Sequence, residues 1–491
     1  MNKRKNLNQV EKVDAKKNVK SNKSKEKIEN EENVSDLEYE DVYEDEIEEE
    51  VVVEQKDEEE EIGEDDLMED IDDNDDENEE NVKVYLPGQE IEPEHVLLPD
   101  NSAYLMLHQM GVEWPCLSFD IIKDKLGLNR TQFPATSYIV SGSQAPNPNE
   151  NKIYVMKMSQ LHKTKNDDLD EDMIEEDDDE NDLDEDPILE HREIPHYCGV
   201  NRIRLMEHPE QQICATWSEE GRVNIYDITQ HVLSLDTPGL IPDSNLLPLH
   251  AITNHNRIEG YAMDWSTKVT GRIVTGDCKG KIYITSKNQS GFQTDSQPYK
   301  GHNGSCEDLQ WSPTEKDVFA SCGVDGTVKI WDVRMKQSAL SIKAHNCDVN
   351  VIAWNKKVDY LLASGSDNGI FSVWDLRTFG KGQETATSAA TFNWHKKAIT
   401  SIEWHPFETS MLACSGADDQ LTLWDLSLEA DLEEQQVMEE KDGRKIEVPA
   451  QLLFIHQGQS NIKELHFHEQ IPGCIISTSS DGFNIFKTIN S

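Results

Sequence analysis

Residues 301–332 have the sequence GHNGSCEDLQWSPTEKDVFASCGVDGTVKIWD, in which His302 stands 29 residues before Trp331. The same interval recurs twice downstream, from Ala344-His345 to Trp374-Asp375 and from Trp394-His395 to Trp424-Asp425. A repeat of about 40–45 residues with these markers is typical of one four-stranded β-propeller blade. Three recurrences of one interval therefore predict an all-β propeller.

The residues between the markers resemble a blade of the WD-repeat (WD40) propellers. Such blades commonly contain a hydrogen-bonded set of His, Ser or Thr, Asp and Trp. Matched position by position, this blade supplies His302, Ser321, Asp325 and Trp331. A buried imidazole or indole without a partner costs about 1–3 kcal/mol, so we interpret this tetrad as structural rather than catalytic.

Other blades depart from the tetrad. Asn368 occupies the Asp position of the next blade, Cys414 occupies the Ser/Thr position of the one after, and Lys279 occupies the Asp position of an earlier one. Six framed blades follow from residue 196 onward, and residues 135–160 with a returning strand at 188–193 add a seventh. We expect residues 117–122 to close the ring by pairing with the C-terminal strands, which leaves no exposed sheet edge.

Charge divides the chain of 491 residues, whose formal net charge is −51. Residues 1–28 carry +7, residues 29–80 carry −30, and residues 166–187 carry −15 with no basic residue. Segments this polar bury too little apolar surface to order. We therefore predict a basic disordered tail over 1–28, an acidic disordered tail over 29–82, and a seven-bladed propeller over 83–491 with an acidic loop at 166–187.

Several function classes find no support in the sequence. No apolar run reaches 18 residues, so no membrane span is expected. Nine cysteines are scattered from Cys116 to Cys474 without a C-x-x-C pair, which indicates a reducing, intracellular compartment. Phosphate-loop, nucleophile-elbow and H-E-x-x-H motifs are missing, and His466 and His468 alternate on a strand without a further ligand. We expect no enzyme activity, no cofactor and no metal.

Three stretches carry a family resemblance: Tyr85-Leu86-Pro87-Gly88, residues 100–104, and residues 115–120. They resemble the glutamate-rich WD-repeat family, which includes the fungal regulator of ribosome biosynthesis, and the resemblance covers about residues 83–491. More distantly, Glu113-Trp114-Pro115 is similar to the histone-binding WD proteins of chromatin assembly factors. The resemblance implies a nuclear or nucleolar factor that escorts a basic protein of the large ribosomal subunit, with histone binding in some members.

The acidic loop is the first candidate binding site. Carboxylates held on a rigid scaffold attract cationic partners, and they compete with phosphates for basic tails, so direct nucleic-acid binding is not expected. The alternative is a solvated loop that only aids solubility. The predicted client-binding carboxylates are Asp167, Asp168, Asp170, Glu171, Asp172, Glu175, Glu176, Asp177, Asp178, Asp179, Glu180, Asp182, Asp184, Glu185 and Asp186.

A second candidate is the segment near 102–112, which we predict to be a short helix. Asp100 and Asn101 are plausible N-caps, and the apolar residues that follow include Tyr104 and Leu107, with His108 beside them. Similar helices in the histone-binding relatives form a groove with the acidic loop. The alternative is that the helix only seals the final blade.

Short motifs suggest further partners. Arg334 and Arg377 end W-D-x-R boxes like those of propellers that dock on cullin-type ubiquitin ligases, although basic residues are frequent there in any propeller. Lys3-Arg4-Lys5 and Lys16-Lys17 match a nuclear-import signal, with a solvated tail as the alternative. We expect a monomer that binds a basic ribosomal protein, with histones and a ligase adaptor as alternative partners.

Overall fold

Seven antiparallel sheets form the propeller that the repeat predicts. The computed structural model describes residues 100–164, 186–379, 387–429, 437–439 and 445–489. Both predicted tails and nearly all of the acidic loop lie outside these ranges. The described residues form one helix, three short 3-10 turns and 31 strands.

The first three blades contain the following strands. Blade 1 consists of β2 (Cys116–Ile121), β3 (Ala135–Ser143), β4 (Lys152–Leu161) and β5 (Ile188–Pro195). Blade 2 consists of β6 (Val200–Met206), β7 (Ile213–Ser218), β8 (Arg222–Asp227) and β9 (His250–Ile252), with helix α1 (Thr229–Asp236) between β8 and β9. Blade 3 consists of β10 (Ala262–Trp265), β11 (Arg272–Gly276), β12 (Lys281–Asn288), β13 (Gly291–Thr294) and β14 (Tyr299–Lys300).

The other four blades complete the ring. Blade 4 consists of β15 (Cys306–Trp311), β16 (Val318–Gly323), β17 (Thr327–Asp332) and β18 (Ser338–Lys343), and blade 5 of β19 (Val349–Trp354), β20 (Leu361–Ser366), β21 (Ile370–Asp375) and β22 (Ala390–Asn393). Blade 6 consists of β23 (Ile399–Trp404), β24 (Met411–Gly416), β25 (Leu421–Asp425) and β28 (Leu452–His456), with a hairpin of β26 (Val437–Glu439) and β27 (Lys445–Glu447). Blade 7 consists of β29 (Glu464–Phe467), β30 (Cys474–Ser479), β31 (Gly482–Thr488) and β1 (Tyr104–Met110).

The predicted helix at 102–112 is wrong, because this segment is strand β1. Asp100 does act as a cap, but only of a 3-10 turn over Asn101–Ala103. Tyr104, Met106 and Met110 are buried, whereas the residues between them are wholly or partly exposed. This alternation has the period of a strand, and β1 covers the backbone edge that β31 would otherwise leave open.

Ring closure uses a different segment from the predicted one. Residues 117–122 do not pair with the C-terminal strands, because they belong to β2, the innermost strand of blade 1, which pairs with β3. Strand β1 pairs with β31 instead, from Tyr104 opposite Thr488 to Met110 opposite Phe483. Closure by an N-terminal strand is confirmed, but the strand lies one element earlier in the chain.

The tetrad of blade 4 is confirmed. The Nε2 atom of His302 lies 2.6 Å from the hydroxyl of Ser321, and its Nδ1 lies 3.1 Å from Asp325. The indole of Trp331, which is fully buried, donates to the same hydroxyl at 2.7 Å. The set satisfies every polar group that it buries, which supports a structural role.

Two blades complete a tetrad with residues that their spacing does not identify. In blade 6, Thr422 replaces the missing hydroxyl at position 414: His395 Nε2 lies 3.0 Å from its Oγ1, and Trp424 donates to it at 2.8 Å. Thr422 stands directly opposite Cys414 on the neighbouring strand. In blade 3, Asp277 accepts from His255 at 3.0 Å, two positions before the lysine in the expected slot.

The long connections all emerge at one end of the propeller. Neighbouring strands of a blade are antiparallel, so every connection from a third to a fourth strand lies at the same end. Residues 162–187, 228–249, 376–389 and 426–451 are such connections. The chain also enters β1 there, since Tyr104 pairs with the end of β31. We call this end the insertion face.

Candidate functional site

The acidic segment is attached to the outer edge of blade 1. Strand β4 pairs with β5 up to Ser159 opposite Ile188, which places the two ends of the acidic connection side by side on the insertion face. Residues 167–185 lie outside the described residues, so of the predicted carboxylates only Asp186 is seen, and it is exposed. The structure therefore shows where this connection leaves and rejoins the propeller.

Strand β1 lies against the start of the acidic connection. The backbone N–H of Thr164 donates to the carbonyl of Leu105 at 3.1 Å. The Nε2 of His108 lies 2.8 Å from the carbonyl of His162, so this nitrogen is the donor. Burial lowers the pKa of His108, which keeps its ring neutral. The predicted closeness of the 102–112 segment and the acidic connection is thus present, with a strand in place of the helix.

Tyr104 is removed from the candidate client contacts, because its side chain is only 5% exposed. Its hydroxyl donates to His456 Nδ1 at 2.8 Å, and the imidazole of His456 stacks on Phe486 with 4.1 Å between ring centroids. Burial raises the pKa of Tyr104 and lowers the pKa of His456 to about 3, so both groups are neutral. Leu107 and His108 are partly exposed and stay candidates.

Helix α1 borders the other side of β5. Arg192 donates from Nε to the Ser234 hydroxyl at 3.0 Å and from Nη2 to the Ser234 carbonyl at 2.9 Å. Asp236, at the end of the helix, accepts from Tyr138 and from Lys157, each at 2.8 Å. Burial and then the Asp236 carboxylate raise the pKa of Tyr138, so the phenol remains a donor. These bonds hold the blade 2 connection firmly against blade 1.

A shallow groove of about 380 Å³ lies between the end of α1 and β5. Its lining combines side chains of both signs with a run of small and apolar residues after the helix. The lining residues are Lys157, Glu190, Arg192, Ser234, Leu235, Asp236, Thr237, Pro238, Gly239 and Leu240. No pattern in the sequence indicates this groove, because it depends on how two blades pack together.

The two W-D-x-R arginines lie on the insertion face of neighbouring blades. The side chain of Arg334 is 74% exposed, and its Nε donates to Asp332 at 2.8 Å. Arg377 is 62% exposed, donates to Asp375 at 2.9 Å and lies 3.6 Å from the centre of the Tyr360 ring. The hydrogen bonds from Arg334 lower the pKa of Asp332 to about 2. Both guanidinium groups are accessible to a partner.

The central channel holds a charged network. Glu464 accepts from Arg202 at 2.5 Å and from Arg204 at 2.6 Å, and its second oxygen accepts from the backbone of Phe119 at 2.9 Å. Burial would raise the pKa of Glu464, but the two guanidinium groups hold it well below its usual range. Each charge has a partner inside the channel, so the network has a structural explanation.

Neither His466 nor His468 belongs to a metal site. Burial opposes the charged form of His466, but Glu403 and Glu464 raise its pKa to about 10, and Glu403 lies 2.8 Å from its Nδ1. His468 is buried, and its Nδ1 accepts from two backbone N–H groups. Across the described ranges, no group of three or more potential ligands is arranged for a metal ion. In the same part of the chain, no helix is long and apolar enough to cross a membrane.

Comparison with known proteins identifies the family. The glutamate-rich WD repeat-containing protein 1 of Dictyostelium discoideum is 47% identical over 418 residues, which cover 83% of this chain and 85% of the relative. This chain belongs to the glutamate-rich WD-repeat family. Another relative, ribosome assembly protein rrb1 of Schizosaccharomyces pombe, is 48% identical over 417 residues, covering 82% of this chain and 84% of the relative.

Two family profiles match parts of this glutamate-rich WD-repeat chain. The profile described as WD domain, G-beta repeat matches residues 293–332, 336–375 and 386–425. The profile of the histone-binding protein RBBP4, a component of the CAF1 complex, matches residues 94–162, which include β1 to β4. The histone acetyltransferase type B subunit 2 of Candida glabrata is 21% identical over 389 residues, covering 77% of this chain and 83% of that protein.

Proposed function

We propose that this chain is an assembly factor of the large ribosomal subunit that binds a basic ribosomal protein and shields it from nucleic acid. Membership of the glutamate-rich WD-repeat family supports this, together with a relative that is named a ribosome assembly protein. The chain acts by binding rather than by catalysis. Because ribosomal subunits are assembled there, we place it in the nucleus and nucleolus.

The observation that carries the proposal is the position of the acidic connection. Residues 166–187 carry fifteen carboxylates and no base, and both ends of the connection are fixed to blade 1 between β1 and α1. A dense negative charge attached to a rigid surface raises the local concentration of a cationic partner and speeds its association. It also occupies the groups with which a basic protein would otherwise bind phosphates.

Histone binding is the second candidate function. The histone-binding profile covers residues 94–162, which contain β1 and the start of the acidic connection. Histones and ribosomal proteins are both basic, so the electrostatic argument serves either client. The two functions differ in which client is recovered from a cell.

An affinity pull-down of the full-length chain tests the proposal. The extract is treated with nuclease and held at about 0.3 M salt, so that nucleic acid and weak ionic contacts do not bridge. We expect one large-subunit ribosomal protein in near-equal amount. Changing the fifteen carboxylates between Asp167 and Asp186 to Asn or Gln should lower its recovery at least about tenfold.

The matched control neutralises fifteen carboxylates of the 29–80 tail, which changes the net charge equally at a different place. That variant should retain the ribosomal protein. Recovery of core histones without a ribosomal protein would favour the second candidate. Equal recovery by the wild type and the loop variant would show that the acidic connection does not hold the client.

A further inference from the structure

Exposed apolar side chains are concentrated on the insertion face. Among the described residues, thirteen large hydrophobic side chains are exposed, and only Tyr197 lies at the opposite end. Four of the thirteen come from one connection, between β8 and β9. The exposed fraction is 40% for Leu233, 89% for Ile241, 80% for Leu247 and 55% for Leu249. Single exposed apolar residues are ordinary, but a group of this kind marks an interaction site.

The backbone of this connection is held in place. The Nε2 of His231 donates to the carbonyl of Asp243 at 3.0 Å, which ties the loop to helix α1. Leu246 packs against the core between blades 1 and 2. The N–H of Leu249 donates to Ile225 at 2.7 Å. The apolar side chains are thus presented by an anchored loop that buries neighbouring residues and leaves these tips outside.

The same patch adjoins the place where the acidic connection returns. Asp186 precedes Ile188, whose side chain is 49% exposed at the start of β5. The two cations of the adjacent groove are already engaged, since Lys157 binds Asp236 at 2.8 Å and Arg192 binds the helix end. A partner therefore meets apolar side chains on one side and unneutralised carboxylates on the other.

We propose that Ile188, Leu233, Ile241, Leu247 and Leu249, here called the blade 2 patch, bind a basic amphipathic segment of the client. The apolar side of that segment packs on the patch, and its cationic side faces the acidic connection. This inference rests on the proposed function, which supplies a basic client. Charge alone attracts any basic chain, whereas apolar contact requires suitably spaced side chains, so the patch provides the selectivity that a polyanion lacks.

Charge also argues against a second copy of this chain as the occupant. Each copy has a formal net charge of −51, and the patch adjoins one of its most acidic segments. Bringing two such segments together is unfavourable, whereas a cationic segment gains from both parts of the surface. The occupant is therefore a basic chain with an apolar face.

Two peptides test the selectivity of the patch on the full-length chain. Both have about 18 residues of the same Leu/Lys composition; one places its leucines on one helical face and the other is scrambled. We expect the wild type to bind the amphipathic peptide at least about tenfold more tightly in fluorescence anisotropy. The double variant Ile241→Ser, Leu247→Ser should lose this preference while its affinity for the scrambled peptide is unchanged.

The control is Met335→Ser, Phe407→Ser, which removes two exposed apolar side chains from blades 4 and 6 of the same face and should keep the preference. A preference that persists in the Ile241, Leu247 variant would overturn the proposal, and so would equal binding of both peptides by the wild type. Light scattering provides a further test. A wild-type dimer that this variant abolishes would assign the patch to a second copy and overturn the proposal.

The pull-down separates failure of this inference from failure of the proposed function. If the wild type recovers no ribosomal protein but keeps the peptide preference, the ribosomal assignment fails and the patch proposal stands. If ribosomal protein is recovered equally by the wild type and the patch variant, with no peptide preference in either, the patch proposal fails and the assembly function stands.

Discussion

The central channel and the blade 2 patch reverse the usual distribution of polar and apolar groups. In the channel, Glu464 is 1% exposed, yet it is charged and contacts two arginines. On the rim, Ile241 is apolar and 89% exposed. A buried charge is tolerated only with partners, and an exposed apolar group near other apolar groups lacks one.

The difference separates stability from function. Every bond of Glu464 is made within the chain, to Arg202, Arg204 and the backbone of Phe119, so the channel needs no ligand to explain it. Within the blade 2 patch, the side chains of Ile241 and Leu247 are mostly in solvent. Changes in the channel should therefore alter the free energy of unfolding, whereas changes on the rim should alter binding.

The largest expected effect is that of Glu464→Gln. The amide removes the negative charge but not the side-chain volume, so the guanidinium groups of Arg202 and Arg204 stay buried with less compensation. Breaking a buried ionic network from one side costs about 3–5 kcal/mol of unfolding free energy. A urea denaturation curve followed by tryptophan fluorescence would measure the loss.

Glu469→Gln is the matched control, since Glu469 also contacts two cations, Lys123 and Lys356, but its side chain is 34% exposed. Solvent screens this pair, so the loss should be below about 1 kcal/mol. Similar losses in the two variants would show that burial does not distinguish the channel from the rim.

A smaller effect is expected for Thr422→Val, which extends the comparison to a buried neutral group. Valine has the shape of threonine but removes the hydroxyl that bonds His395 and Trp424. The two ring N–H groups lose a buried partner, which should cost about 1–3 kcal/mol of unfolding free energy. The urea midpoint should fall accordingly.

The same substitution at Thr391 is the control. Thr391 is exposed on β22, where its hydroxyl bonds Ser372 at 2.9 Å, and water can replace that bond. Its urea midpoint should stay near that of the wild type. If Thr422→Val is as stable as Thr391→Val, Thr422 is not the missing tetrad member.

The smallest expected effect on stability is that of Arg334→Ala combined with Arg377→Ala. These charges lie outside and bond chiefly with the aspartates two positions before them. We expect an unchanged urea midpoint and undiminished recovery of the basic client. If the chain is also a ligase receptor, a cullin adaptor should disappear from the pull-down of this variant. A client lost together with the adaptor would contradict the position that we propose for the client site.

The number of blades follows from spacing, because the four residues of one tetrad lie within a single repeat. His302 and Trp331 occupy fixed positions in that repeat, and their contacts are local to the blade. Spacing does not identify Thr422, because its equivalence to position 414 exists only across a strand pair. The error at 102–112 has a similar origin: its apolar residues fit a helix locally, and the open edge of β31 decides for a strand.

The sequence by itself determined the propeller, its family, and the presence of a strongly acidic connection in blade 1, since these depend on repeat spacing, motifs and charge. Tertiary structure alone decided that β1 and α1 flank that connection and that Ile241 and Leu247 are left exposed beside it. Sequence patterns encode contacts between residues a few positions apart. Exposure depends on which blades meet, and contacts between distant parts of the chain decide that.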